Sequence, residues 1–344
     1  MATANIAING FGRIGRAAFK IAVENPNLKV VAINDLVPVE NLEYLLKYDT
    51  VYGRYDKTVS HDANNLIVDG EKYPVVAEPD ATKLPWGAMK VDIVLECTGR
   101  FTAKADLEKH LQAGAKQVIL STPAKEAEVP TVVFGANYPE ANWPILNTAS
   151  CTTNCITPVI EVVGRRVGIE KAIMTTTHAY TASQDIVDGP KKKDFRMGRA
   201  GAQNIIPTST GAAKATTRVL PQYKDKFHGV ACRVPIPCGS ISDITMVTSR
   251  DTTVEEINGI FQDEAQTDRY GNVLTVVNDP VASSDIVGDS RSSIVDPWMT
   301  QVIGGNLVKV MAWYDNEWGY TNQMIRTAAY IVNNNLIPQV AGVR

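Results

Sequence analysis

Cys151 stands in the stretch N-T-A-S-C-T-T-N-C, residues 147–155, and His178 follows in T-T-T-H-A-Y-T. A cysteine attacks well when its thiolate is accessible near neutral pH, which takes a nearby imidazole, a helix N-terminus or another positive influence. Ser150, Thr152, Thr153 and Asn154 are cap-forming types, and Pro158 limits where the first regular turn begins. The pattern therefore predicts Cys151 where a strand hands over to a helix N-terminus. Unpaired backbone N–H groups there suit an oxyanion formed when the sulfur attacks a carbonyl. Free cysteine more often serves as a small core hydrophobe, but a Ser/Thr/Asn frame is a poor setting for that role. Cys155 is expected inside the helix. A zinc site would need a second Cys or His pair at finger-like distance, and C-x-x-x-C offers none, so no metal is expected. Spacing alone neither brings His178 to Cys151 nor removes the alternative of a structural hydrogen bonder.

Two further groups are chemically loaded. Arg233, in A-C-R-V-P, lies in an apolar strand context where an unpaired guanidinium is costly, so it must meet an internal carboxylate or an anionic ligand. Thr208, Ser209, Thr210 and Gly211 form a hydroxyl-rich turn ahead of a helical run, which is either a simple cap or a phosphate cradle.

The elements that must position these groups are readable in outline. Residues 4–15 read as a short strand running into Gly10-x-Gly12-x-x-Gly15 and a helix, and the next strand ends at Asp35. That is the context a dinucleotide-binding turn requires: glycines allow the backbone near a pyrophosphate, and the acid accepts hydrogen bonds from a ribose diol while repelling a 2′-phosphate. The alternative is a tight strand-to-helix turn alone. The cofactor expected is NAD. V-D-I-V-L-E-C-T-G is a buried parallel strand with Cys97 in the core, ending at Thr98, Gly99 and Arg100. Thr98, Gly99 and Arg100, at the carboxyl end of a parallel strand, are candidate cofactor neighbours, Arg100 being as readily a solvated loop charge; a further strand ends at Ser121 and Thr122. Strand and helix alternate up to about residue 150, giving an α/β doubly wound parallel-sheet domain over 1–150. An α+β domain with a mixed or antiparallel sheet, helix-covered on one face, follows over 151–316. Within it, Thr181 to Thr210 reads as a long structureless loop, and 317–344 as a helix that needs a partner surface.

The chain has 344 residues, 44% hydrophobic and 21% charged, with a formal charge of -3. That length suits two domains, and the charge gives no pull toward nucleic acid or anionic membrane, so an anionic substrate must be gripped locally. Five cysteines without a pairing pattern suit a reducing compartment. With no leader-like start and no long apolar run, a cytoplasmic location is expected.

The motifs N-G-F-G-R-I-G, A-S-C-T-T-N-C, T-T-T-H-A-Y-T, N-I-I-P-T-S-T-G-A-A-K-A and W-Y-D-N-E-W-G-Y, in this order across nearly the whole chain, resemble the phosphorylating glyceraldehyde-3-phosphate dehydrogenases. The resemblance implies oxidation of glyceraldehyde 3-phosphate with NAD and inorganic phosphate, giving 1,3-bisphosphoglycerate. It implies Cys151 as nucleophile and His178 as base. Ser150, Thr152, Thr210 and Gly211 would surround one phosphate position, and Thr181 with Arg233 the other. Arg13, Ile14, Asp35, Ser121 and Asn316 would hold NAD, Asn316 orienting the nicotinamide carboxamide. It also implies a homotetramer in which the loop from Thr181 lines a neighbour's NAD site, with the C-terminal helix returning to the cofactor domain. The chain departs at Pro79, where many members carry a basic residue, and at Met197, where some carry a phosphate-site arginine that Arg196 or Arg199 would replace. Two rivals share features: an erythrose-4-phosphate dehydrogenase, against which Thr181 argues, and a non-catalytic NAD-binding redox sensor.

Overall fold

The computed structural model describes residues 3–338, which divide into two compact units. The first comprises the chain up to Val132, Tyr138–Ala149 and the part from Met324 on; the second comprises Val133–Asn137 and Ser150–Gln323.

The first unit is built on an eight-stranded sheet. In spatial order its strands are Ile145–Asn147, Gln117–Leu120, Ile93–Glu96, Ala4–Asn9, Leu28–Asn34, Glu71–Val76, Asn65–Val68 and Val59–His61. The first six run parallel and the last two turn antiparallel. Ile93–Glu96 and Gln117–Leu120 are buried at every position, as strands covered on both faces must be. Asp69 (φ 49°) and Gly70 (φ 84°) make the tight two-residue turn that the Asp-Gly pair favours between antiparallel strands. The chain moves outward from Ala4–Asn9 in one direction and then restarts on its other side at Ile93–Glu96, so the strand order reverses there. Such reversal points are where α/β sheets hold ligands.

The second unit centres on a seven-stranded mixed sheet in the order Ile206–Ser209, Phe227–Val234, Ile169–Ala179, Ser240–Thr248, Leu307–Tyr314, Ser293–Ile303 and Leu274–Val276. Ser240–Thr248 alternates buried and half-buried residues along its whole length. One face of the sheet packs on the helices Cys151–Arg166, Ala212–Val219 and Val254–Glu264, whose apolar residues share one core with it. On the opposite side Ile173, Val230 and Leu307, exposed, alternate with buried Met174, Ala231 and Val308.

Three expectations change. The helix starts at Cys151 and runs through Pro158 to Arg166, so the proline does not set its beginning; hydrogen bonding resumes on either side and the burial of the helix outweighs one lost bond. The segment Thr181 to Thr210 is not structureless, since it holds a 3-10 turn at Phe195–Gly198 and the edge strand Ile206–Ser209. The C-terminal helix spans Trp318–Asn333, and Met324, Ile325, Ala328, Ile331 and Val332 join the first unit's core. The remainder of the expected helix to 344 lies partly outside the described residues.

Candidate active site

Cys151 is the first residue of its helix. Ser150, in extended conformation, caps that helix by accepting the Thr153 N–H at 3.1 Å, which leaves the N–H groups of Cys151 and Thr152 turned toward the Cys151 sulfur. His178 arrives from the strand Ile169–Ala179, and its Nε2 lies 3.3 Å from Cys151 Sγ. The parallel register pairs His178 with Arg233, which sets the guanidinium Nη1 beside the imidazole Nδ1 and 3.1 Å from the carbonyl of Ala179.

The protons in this cluster follow from its surroundings. Burial, joined by the Arg233 charge, pushes His178 down to about 3, so the ring is neutral at physiological pH. Burial also pushes the Cys151 thiol upward, against the pull of Arg233 and the helix N–H groups. In the ligand-free site, desolvation outweighs the positive neighbours. Nδ1 lies 2.7 Å from the Ala179 carbonyl, an acceptor, and 2.5 Å from Arg233 Nη1, a donor. With the ring proton on Nδ1 and given to the carbonyl, Nε2 presents a lone pair to the sulfur at 3.3 Å, the form a general base needs; with Nδ1 accepting from Arg233, the proton is on Nε2 instead.

Arg233 has no carboxylate within ion-pair distance among the described residues, and its Nε is buried without a partner. Of the two alternatives left open by the sequence, an anionic ligand is the one the geometry favours. Thr181 exchanges a hydrogen bond with Ser183 at 2.8 Å. Thr210 Oγ1 accepts the Ala212 N–H at 3.2 Å, Gly211 precedes the helix Ala212–Val219, and nothing lies within 4 Å of where a Gly211 side chain would begin. The Thr152 hydroxyl bonds Tyr314 at 2.9 Å and also contacts the Cys151 sulfur. Arg199 is paired with Asp188 at 2.8 Å, whereas Arg196 lines a surface recess with Thr208 and Ser209. The structure thus separates the two stand-ins considered for Met197.

The cofactor candidates collect at the strand-order reversal of the first unit. Gly10 (φ 90°) has no room for a side chain, since a Cβ would lie 2.7 Å from the Thr98 nitrogen; at Gly15 it would lie 2.0 Å from the Gly10 carbonyl oxygen. Gly12 has nothing within 4 Å and opens to solvent at the start of the helix Arg13–Ala22, where the N–H groups of Arg13 and Ile14 lead the helix. The Arg13 side chain itself is engaged by Asp49 at 3.1 Å, so only its backbone serves that position. Asp35 accepts the Phe11 N–H at 2.6 Å and the Val37 N–H at 3.1 Å, which leaves lone pairs for a ribose diol. Thr98, Gly99 and Ser121 sit at neighbouring strand ends. An acid, a close-packed glycine turn and an open helix start fit an NAD molecule. Among the described residues, no group of three or more His, Cys, Asp or Glu could hold a metal.

Residues 4–104 match the family model described as glyceraldehyde 3-phosphate dehydrogenase, NAD binding domain, and residues 150–316 match the C-terminal domain of the same enzyme. The chain belongs to the glyceraldehyde-3-phosphate dehydrogenase family. It is 48% identical over 334 residues to glyceraldehyde-3-phosphate dehydrogenase 1 of Bacillus subtilis, covering 96% of this chain and 99% of that one. Identity is 47% over 334 residues to the glyceraldehyde-3-phosphate dehydrogenase of Geobacillus stearothermophilus, with the same coverage.

Sequence reasoning passed over two residues of this glyceraldehyde-3-phosphate dehydrogenase fold. Tyr314, buried in the second unit, bonds Thr152 at 2.9 Å and Thr176 at 2.7 Å and sets its ring edge-on to His178, centroids 5.9 Å apart. It ties the nucleophile's helix to the base's strand. Ser240 Oγ accepts the Ala179 N–H at 3.1 Å and donates to Asn316 Oδ1 at 3.0 Å, which the Gly239 N–H also holds at 3.2 Å. Asn316 keeps its Nδ2 as the free donor. Tyr314 lay inside a quoted motif, but a tyrosine before an acidic turn carries no mark of its partners.

Proposed function

We propose that the chain oxidises glyceraldehyde 3-phosphate with NAD and inorganic phosphate, with Cys151 as nucleophile and His178 as general base. The observation that carries this reading is the 3.3 Å contact of Cys151 Sγ with a neutral His178, beside an Arg233 that has no carboxylate partner among the described residues. The thiol proton passes to His178 as sulfur bonds to the aldehyde carbon, and the oxyanion gains a proton to give a thiohemiacetal, its oxygen within the field of the helix N–H groups. Bound NAD supplies the hydride acceptor. His178 takes the hydroxyl proton as hydride departs, leaving a thioester, and phosphate then displaces the Cys151 thiolate to form the acyl phosphate. Arg233 and Thr181 hold one phosphate; Ser150, Thr152, Thr210 and Gly211 line the other. Asn316 Nδ2 orients the carboxamide, and Gly10, Gly12, Ile14, Gly15, Asp35, Thr98, Gly99 and Ser121 frame the rest of the dinucleotide.

The uncovered sheet face with Ile173, Val230, Trp298 and Ile303 supports self-association, and we assign it to a homotetramer. No described helix is long and apolar enough to cross a membrane, and the five free cysteines suit a reducing cytoplasm. The test is the initial rate of NADH formation from glyceraldehyde 3-phosphate, with and without phosphate, repeated with NADP. A strong phosphate requirement with NAD preferred is expected; turnover indifferent to phosphate would transfer the assignment to hydrolytic aldehyde oxidation.

A further inference from the structure

Below the glycine turn of the first unit lies a fully buried carboxylate that the chemistry above does not use. Glu96 ends the strand Ile93–Glu96 with no exposed surface, as does His110 from the helix Lys104–Gln112. Four donors converge on the Glu96 carboxylate. Asn9 Nδ2 donates to Oε2 at 2.5 Å, the Thr98 N–H donates to Oε1 at 2.8 Å, the Thr98 hydroxyl donates to Oε1, and His110 Nε2 meets Oε2 at 3.1 Å. The indole N–H of Trp86 can only donate, and it lies 3.0 Å from His110 Nδ1. Nδ1 is therefore the acceptor, and the ring proton resides on Nε2, aimed at Glu96. Every partner of the carboxylate is a donor, an arrangement only a carboxylate satisfies. An amide in its place would turn an NH2 toward donors.

The network reaches each piece of backbone that carries a cofactor candidate. Asn9, held by Glu96, precedes Gly10 and also accepts Asn34 Nδ2 at 2.6 Å. Asn34 precedes Asp35 and exchanges two hydrogen bonds with the Glu78 backbone, at 3.0 and 3.1 Å. Thr98, held by Glu96 twice, supplies the nitrogen against which Gly10 closes and accepts the N–H of Arg100 at 3.1 Å, bracketing Gly99. We infer that Glu96 is the positioning residue of the NAD cradle: one buried carboxylate sets the mutual spacing of the Gly10, Asp35 and Thr98–Gly99 strand ends. The inference rests on the NAD reading of those residues. Its physical basis is that a charge-assisted set of four hydrogen bonds, sealed from water, holds three strand termini more rigidly than the parallel ladder, which ends at these residues.

The test measures NAD affinity by titration of intrinsic fluorescence and calorimetry on the whole chain, for wild type, Glu96→Gln, Glu96→Asp and the core control Ile93→Val. Glu96→Gln is expected to weaken NAD binding at least tenfold and to speed amide exchange at Phe11, Thr98 and Gly99 in cofactor-free protein. The rate of Cys151 alkylation should be unchanged. Glu96→Asp, which keeps the charge on a shorter stem, should recover part of the affinity, and Ile93→Val should lower the melting temperature with NAD affinity intact. Wild-type NAD affinity in Glu96→Gln overturns the inference. So does equal weakening in Ile93→Val, because burial rather than the network would then govern binding. Should Glu96→Gln fail to fold, Glu96→Asp with wild-type affinity and amide exchange has the same overturning force. Absence of NAD binding in the wild type would instead remove the cofactor reading, and this inference with it.

Discussion

At the scale of single residues, burial favours the uncharged forms of both Cys151 and His178, and that has measurable consequences. Cys151→Ser should abolish turnover, because a hydroxyl lacks the nucleophilicity of sulfur, and His178→Asn should lower kcat by roughly 10²–10⁴-fold. Steady-state kinetics on the two variants decides both. Because burial raises the thiol, alkylation of Cys151 in the cofactor-free protein should still be accelerating with pH beyond the ordinary thiol value of 9.0. His178 carries a stability signature of definite sign. Its folded value is depressed, so above pH 6.5 the ring is neutral in both states; as pH falls below 6.5 the unfolded chain binds a proton that the folded one refuses. Stability should therefore drain between pH 6.5 and about 3, at no more than about 1.4 kcal/mol per pH unit, and denaturant titrations should show a shallower loss in His178→Asn. An anion at Arg233 offsets one of the two causes of that depression. Phosphate should then raise the His178 titration midpoint in an NMR experiment, and an unmoved midpoint would separate the guanidinium from the base.

At the scale of elements, the site depends on how a helix and a strand are brought together. Tyr314→Phe removes the hydroxyl that bridges Thr152 and Thr176, although Thr176 keeps the Ile241 carbonyl at 3.3 Å. About 1–3 kcal/mol of stability should be lost, and kcat should fall without a matching rise in the KM for NAD. Ser150→Ala deletes the cap of the helix Cys151–Arg166 and should cost about 1 kcal/mol, measured by chemical denaturation. In the first unit, Gly15→Ala places a methyl 2.0 Å from the Gly10 carbonyl oxygen, a contact only backbone movement relieves. NAD binding should be lost before the second unit's thiol chemistry changes. The glycine fingerprint and the buried apolar strands were legible, because each imposes residue types on local positions. The run of the helix through Pro158 was not, since the core contacts that override a proline come from other elements.

At the scale of the whole molecule, the uncovered sheet face bears on assembly. Ile173 and Val230 are 61% and 52% exposed on strands whose alternate residues fill the core. Ile173→Asp and Val230→Asp together should shift the protein to smaller species in sedimentation velocity while the isolated chain keeps its helix content, because the charges enter water in the monomer and an apolar contact in the assembly. An unchanged sedimentation coefficient would assign that face elsewhere.

What the amino-acid sequence determined by itself was the class of chemistry: a Gly-rich turn with Asp35 for NAD, a cysteine framed by caps, and a five-motif pattern spanning the chain. Those features are local, since a missing Cβ, a cap or an acid after a strand answers a demand made within a few residues. Only the tertiary structure decided that His178, 27 residues on, reaches Cys151; that Arg233 meets an imidazole and, among the described residues, no carboxylate; that Arg13 turns to Asp49; and that burial pushes the Cys151 thiol upward. Strand register sets the first two, and a competing ion pair sets the third. The last is a balance between burial and charge, summed over neighbours that the chain keeps far apart and the fold brings together.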